Sequence, residues 1–222
     1  MTISAKEMAS RIDHALLRPD LTEAEVRAGL ALAAKYDVAS VCVRPADIPM
    51  SVRELSGSNV EVGTVIGFPH GGIEPTVKLY ESRIAMDQGA TEIDVVVNIG
   101  QVRSGLWHEV QTELDRILIA AHEREVLVKV IFENCYLNEA QKIKLADICA
   151  KLGADYVKTS TGFGTSGATL EDIALMKKTV DGKCKLKAAG GISDVQAAVA
   201  FVEAGCDRIG CSATAAILDA LS

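Results

Sequence analysis

Gly153-Ala154-Asp155-Tyr156-Val157-Lys158 reads as a helix-ending glycine, a short apolar strand and a lysine five residues on. The same frame recurs three times, from Gly89 to Asp94 in GATEID, from Gly182 to Lys187 in GKCKLK, and from Gly205 to Gly210 in GCDRIG. A glycine at that place ends a helix because it accepts a left-handed backbone, and side chains alternate along the strand that follows. The fifth residue of each copy therefore shares one parity and is expected near the carboxyl end of its strand. One carboxylate and two ammonium groups then converge. Such a cluster is costly to build for packing alone, which points to lysine chemistry.

Working outward, short β-branched runs alternate with longer amphipathic stretches, the pattern of repeated βα units. Strands are expected at Ile12 to Leu16, Ser40 to Val43, Glu61 to Gly67, Glu92 to Val97, Leu127 to Phe132, Tyr156 to Lys158, Cys184 to Lys187 and Arg208 to Gly210. Helices are expected at Thr22 to Lys35, Ala46 to Leu55, Thr76 to Gln88, Leu106 to Glu125, Glu139 to Leu152, Leu170 to Thr179, Asp194 to Ala204 and Ser212 to Leu221, with a short one at Ser4 to Ser10 closing the base. Thr22 with Glu25 forms a capping box, and Asn138 and Ser193-Asp194 open later helices. Eight such units in 222 residues predict a single-domain (β/α)₈ barrel spanning residues 1–222. An open doubly wound sheet would call for a G-x-G-x-x-G after the first strand, and none is there.

With 49% hydrophobic residues the chain can bury one substantial core, and no linker or low-complexity tract divides it. A net charge of −7 leaves no basic stripe for nucleic acid or an anionic membrane. The amino terminus lacks the layout of a secretory signal, and no apolar run reaches the roughly 18 residues of a membrane span, so the expected location is the cytoplasm. The six cysteines, Cys42, Cys135, Cys149, Cys184, Cys206 and Cys211, form no C-x-x-C pair and are expected to be mostly reduced core residues. Four scattered histidines, His14, His70, His108 and His122, give no metal-site spacing, so no metal is expected.

Lys158 runs directly into the polar, glycine-rich stretch Thr159 to Gly167, where its amine is reachable by a substrate. A lysine whose pKa is lowered by a neighbouring cation and by partial desolvation is neutral often enough to attack a carbonyl. Lys187 is that neighbour, Asp94 a proton-transfer group, and Lys129 a structural ion-pair partner. Asp13 and Glu133 are expected to complete the hydrogen-bonded network. Gly190-Gly191-Ile192-Ser193 and Gly210-Cys211-Ser212 place small residues before helix amino termini after the seventh and eighth strands, where barrel enzymes often hold a phosphate. Surface ion pairs and ordinary loop flexibility are the plainer accounts of these features.

Taken together, Ile12 to Thr22 (IDHALLRPDLT), SVCVRPADI, VGTVIGFPHGG, EIDVVVNIG, FENCYL, DYVKTSTGFGTSGAT, KAAGGI and RIGCSA resemble the deoxyribose-phosphate aldolase family of class I aldolases, over nearly the whole chain. KTSTGF and K-x-AGG are the most specific of these motifs. The resemblance implies reversible cleavage of 2-deoxy-D-ribose 5-phosphate to D-glyceraldehyde 3-phosphate and acetaldehyde through a lysine Schiff base, with no metal or organic cofactor. It implies Lys158 as nucleophile, Lys187 as the cation that lowers its pKa, and Asp94 as acid/base. It implies Gly162, Gly190, Gly191, Gly210 and Ser212 around the phosphate, and Cys42 at the acetaldehyde end. Many relatives end in a tyrosine that assists proton exchange, whereas this chain ends Ala220-Leu221-Ser222, and Ala188 stands where proline or serine is common. A homodimer or higher homo-oligomer is expected. The alternatives are another phosphosugar barrel enzyme, either an isomerase or a metal-dependent aldolase, and a catalytically silent barrel with a binding role.

Overall fold

The computed structural model describes residues 3–222. Eight parallel strands pair in chain order and close into a barrel: β1 (Ile12–Leu16), β2 (Ser40–Val43), β3 (Glu61–Ile66), β4 (Glu92–Val96), β5 (Leu127–Ile131), β6 (Tyr156–Lys158), β7 (Lys185–Ala189) and β8 (Arg208–Cys211), with β8 returning to β1. The helices are α1 (Ala5–Ala9), α2 (Glu23–Tyr36), α3 (Ile48–Glu54), α4 (Pro75–Asp87), α5 (Ile99–Ser104), α6 (Trp107–His122), α7 (Glu139–Leu152), α8 (Leu170–Val180), α9 (Val195–Ala204) and α10 (Thr214–Asp219). This is a (β/α)₈ barrel. No helix among the described residues is long and apolar enough to cross a membrane.

The local signals act as their chemistry dictates. Thr22 and Asn138 each form a reciprocal capping box, with Glu25 and Gln141, and Asp194 accepts the Ala197 N–H at 2.8 Å. Gly89, Gly153 and Gly205 have positive φ at their helix exits, whereas α8 is ended by the left-handed Asp181, with Gly182 following it at φ 76°.

Two expectations need correcting. Between the expected strand ending at Val97 and the expected helix starting at Leu106 lies a further helix, α5, opened by the Asn98 side chain accepting the Gln101 N–H and closed by Gly105 at φ 70°. β7 does not stop at Lys187 but continues to Ala189, because Ala188 and Ala189 pair with Ile209 and Gly210 of β8. Asp94 and Lys187 consequently sit at mid-strand, deeper than a strand end, and only Lys158 closes its strand.

Strand parity divides the interior in two. Ile12, Val41, Val43, Val62, Ile66, Ile93, Val95, Val128, Val130, Val157, Leu186, Ala188 and Ile209 join one apolar cluster with the helices. The alternate positions face the barrel axis and carry Asp13, Glu92, Asp94, Lys129, Lys158 and Lys187, all buried. Lys78 of α4 is a separate buried cation, donating to Glu113 of α6 at 2.7 Å and to the Val96 carbonyl at 2.8 Å. It pins two helices to the upper end of β4.

His14, buried on β1, meets the Thr214 hydroxyl at 2.8 Å and ties the first strand to the last helix. Burial pushes its pKa from 6.5 to about 4. Between those values the unfolded chain binds a proton that the folded one refuses, so stability falls as pH drops from 6.5 towards 4, by roughly 3 kcal/mol over the window. Denaturant titrations across that range are expected to show a shallower pH dependence for His14→Gln than for the parent chain.

Candidate active site

The register of β6 on β7 sets Lys158 directly beside Lys187, and that of β4 on β5 sets Asp94 beside Lys129. All four side chains point inward and are at most 3% exposed. Asp94 is the hub. Its Oδ2 accepts from Lys158 Nζ at 2.6 Å and from Lys187 Nζ at 2.7 Å, while its Oδ1 accepts from Lys129 Nζ at 2.9 Å. Asp13 lies on the other side of Lys187, at 2.5 Å, and also faces Lys129 at 3.5 Å.

Two further members complete the cluster and were not expected from the sequence. Glu92 accepts from Lys129 at 2.6 Å and from Arg208 at 3.0 Å, and Arg208 also bonds Asp13. Both stand two residues before a singled-out position, Glu92 before Asp94 and Arg208 before Gly210, so the strand parity already applied would have found them. Acids and bases come from different strands. Asp13, Glu92 and Asp94 lie on β1 and β4, whereas Lys129, Lys158, Lys187 and Arg208 lie on β5 to β8.

The charges set the protonation of each group. Burial works against ionisation of Asp94, but the three ammonium groups around it hold its carboxyl well below the usual range. Asp13 is likewise held low against its burial by Lys187, Lys129 and Arg208. Lys187 and Lys129 are raised despite burial, each by more than one carboxylate. Lys158 is the exception: desolvation lowers its pKa, Asp94 opposes this, and Lys187 adds to the lowering. Burial lifts the Cys42 thiol to about 11.

A cavity of about 380 Å³ opens above this cluster. Lys158, Lys187, Asp13 and Cys42 line it, as do Gly162, Gly190, Gly191, Gly210 and Ser212. Asp94 and Lys129 do not line it: Asp94 meets the cavity wall through Lys158 and Lys187, and Lys129 through Asp13. Arg18, which lies outside the repeated frame, also lines the cavity and adds a further cation to it. Gly190 and Gly191 have φ of 84° and 77°. Gly190 has a second constraint: a Cβ there would stand 3.0 Å from Gly167 Cα, because the loops after β6 and β7 are pressed together.

Glu133 stands apart from the Asp94 cluster. It has a left-handed backbone at φ 50° and accepts the Thr161 N–H at 3.1 Å and the Thr161 hydroxyl, fixing the loop that carries Gly162. Among the described residues no group of three or more His, Cys, Asp or Glu side chains is arranged to hold a metal ion. The acids of the cluster are occupied by ammonium and guanidinium groups.

Comparison with known proteins sets the chain among aldolases. The family model described as DeoC/LacD family aldolase matches residues 7–218. The chain is 44% identical to the deoxyribose-phosphate aldolase of Rhodopirellula baltica over 96% of this chain and 88% of the relative. It is 46% identical to that of Streptococcus suis over 94% of each. The tetrameric deoxyribose phosphate aldolase of Aeropyrum pernix superposes with a TM-score of 0.91 at 32% identity, covering 98% of this chain and 92% of the other. A barrel with a buried lysine pair joined by one carboxylate, matched over nearly its whole length, places this chain in the DeoC/LacD aldolase family.

Proposed function

We propose that the chain reversibly cleaves 2-deoxy-D-ribose 5-phosphate to D-glyceraldehyde 3-phosphate and acetaldehyde, with Lys158 forming the imine. The observation that carries this assignment is the position of Lys158: it lines the cavity, shares one oxygen of Asp94 with Lys187, and has a lowered pKa. An amine that is desolvated and faces a second cation loses its proton readily and becomes a nucleophile.

The chemistry follows from that amine. Neutral Lys158 adds to the C1 aldehyde of the open-chain sugar, and loss of water leaves a protonated imine. A base removes the C3 hydroxyl proton, the C2–C3 bond breaks, and its electron pair flows into the imine to give an enamine. Glyceraldehyde 3-phosphate departs. Protonation of the enamine at C2 and hydrolysis of the new imine release acetaldehyde and restore Lys158. One oxygen of Asp94 bridges Lys158 and Lys187, so a proton leaving Lys158 can pass along that bridge with the carboxylate between the two amines.

The phosphate is assigned to Gly162, Gly190, Gly191, Gly210 and Ser212, whose small residues let backbone approach an anion. Binding energy gathered there orients the reacting bond over Lys158. Cys42 lines the same cavity, and the high pKa of its thiol keeps it protonated at neutral pH, so its addition to excess aldehyde is slow. The chain is also read as a homodimer or higher homo-oligomer, which the exposed Val77 and Tyr80 on α4 support.

The test is borohydride reduction of the protein with 2-deoxyribose 5-phosphate or acetaldehyde, followed by peptide mass mapping. An adduct on Lys158 that requires substrate is the expected result. An adduct on another lysine moves the nucleophile there, and a folded protein with no adduct rules out the imine route.

A further inference from the structure

The barrel interior holds more cations than anions. Lys129, Lys158, Lys187 and Arg208 face three carboxylates, Asp13, Glu92 and Asp94. With every group charged the cluster carries one surplus positive charge in a desolvated space, where a lone charge is most costly. Loss of one proton makes it neutral. Arginine cannot supply that proton, because the guanidinium stays charged throughout the accessible pH range.

The contacts decide which lysine does. Among the described residues Lys129 faces three acids, Lys187 two, and Lys158 one, an oxygen of Asp94 that Lys187 also occupies. Lys158 is therefore the group with the least to lose on deprotonation, and the only one of these three lysines whose pKa is lowered.

The surplus itself comes from the floor of the barrel. Arg208 does not line the cavity, yet it bonds Asp13 on β1 and Glu92 on β4, taking up carboxylate charge that would otherwise answer the lysines. Without it, three acids would meet three ammonium groups and Lys158 would be best kept charged. We propose that Arg208 is a positioning residue that sets the net charge of the cluster and so keeps Lys158 unprotonated, with Glu92 acting in the opposite sense. This inference rests on Lys158 being the imine-forming lysine.

The groups that face the two ends of this coupling are all within the barrel. Around Lys158 stand Asp94 from β4, Lys187 from β7 and the Cys42 thiol from β2. Around Arg208 stand Asp13 from β1, Glu92 from β4 and the Tyr156 ring from β6 at 5.9 Å, a ring that Lys129 and Lys185 also approach. Of the groups around Arg208, Asp13 lines the cavity, whereas Glu92 and Tyr156 do not.

The test uses the full chain as R208Q, R208K, E92Q and the double variant R208Q/E92Q. For each, kcat/KM for cleavage of 2-deoxyribose 5-phosphate and the rate of borohydride trapping at Lys158 are measured from about pH 5 to about pH 10, across the range where a depressed lysine titrates. Removing the Arg208 charge raises the pKa of Lys158, so the acid limb in R208Q is expected to move up by about one pH unit, a tenfold lower rate at a fixed pH on the limb. Removing the Glu92 charge moves it down by a similar amount in E92Q. R208K and the double variant return it towards the parent position.

A merely structural role would lower the rate at every pH or shift both single variants the same way, and either result overturns the inference. Should R208Q fail to fold, E92Q and the double variant still decide, since the limb must move down in one and return in the other. Trapping at Lys158 with unmoved limbs overturns the Arg208 coupling alone. Absence of trapping at Lys158 in the parent chain removes the Schiff-base assignment and this coupling with it.

Discussion

Replacing Lys158 with methionine abolishes cleavage, by at least about 10³-fold, and leaves the barrel as stable as the parent or more so. The first effect follows because no other amine among the described residues both lines the cavity and has a lowered pKa. The second follows from the surplus charge. Lys158 is buried with a single carboxylate contact, shared with Lys187, and its removal leaves three cations facing three acids. Methionine nearly fills the same volume and needs no counter-charge. A melting temperature equal to or above that of the parent, measured beside a null trapping assay, is the expected pair of results. A lower melting temperature would mean that the ammonium group stabilises the interior, and residual turnover above that limit would move the nucleophile to Lys187.

Asp94→Asn is expected to do the reverse to stability while also impairing cleavage. The carboxylate is fully buried and accepts bonds from three ammonium groups. Neutralising it leaves those cations with Asp13 and Glu92 alone. Breaking a buried charge pair from one side costs roughly 3–5 kcal/mol, which for a chain of this size lowers the melting temperature by roughly 10 °C. The loss should shrink as pH rises, since lysines freed of their counter-charge shed protons in the folded state before they do so in the unfolded one. A melting curve within a degree or two of the parent at neutral pH would show that Asp94 is not the hub.

The barrel and the lysine pair were legible because both repeat. A helix-ending glycine fixes the phase of the strand behind it, and the same five-residue offset then carries Lys158, Lys187 and Asp94 to one side of the sheet. What that frame misses is whatever does not repeat. Arg208 stands two residues before the Gly210 of the fourth copy and Glu92 is a single acid at a strand start, so neither falls on the repeated offset. α5 escaped because it is short, with Gly100 inside it, and its Asn98 cap follows directly on β4. Glu133 is expected in the network of Lys158, Lys187 and Asp94, whereas its left-handed backbone turns it to Thr161. No periodicity reports such a turn.

The division of acids and bases between strands has a consequence for how the molecule comes to exist. The half from β1 to β4 brings Asp13, Glu92 and Asp94 to the axis, and the half from β5 to β8 brings Lys129, Lys158, Lys187 and Arg208. Neither half can neutralise its own interior, so a half-barrel has nowhere to hide its charges and is a poor resting place during folding. Each half is the counter-ion of the other, and only their union yields an interior that tolerates being dry.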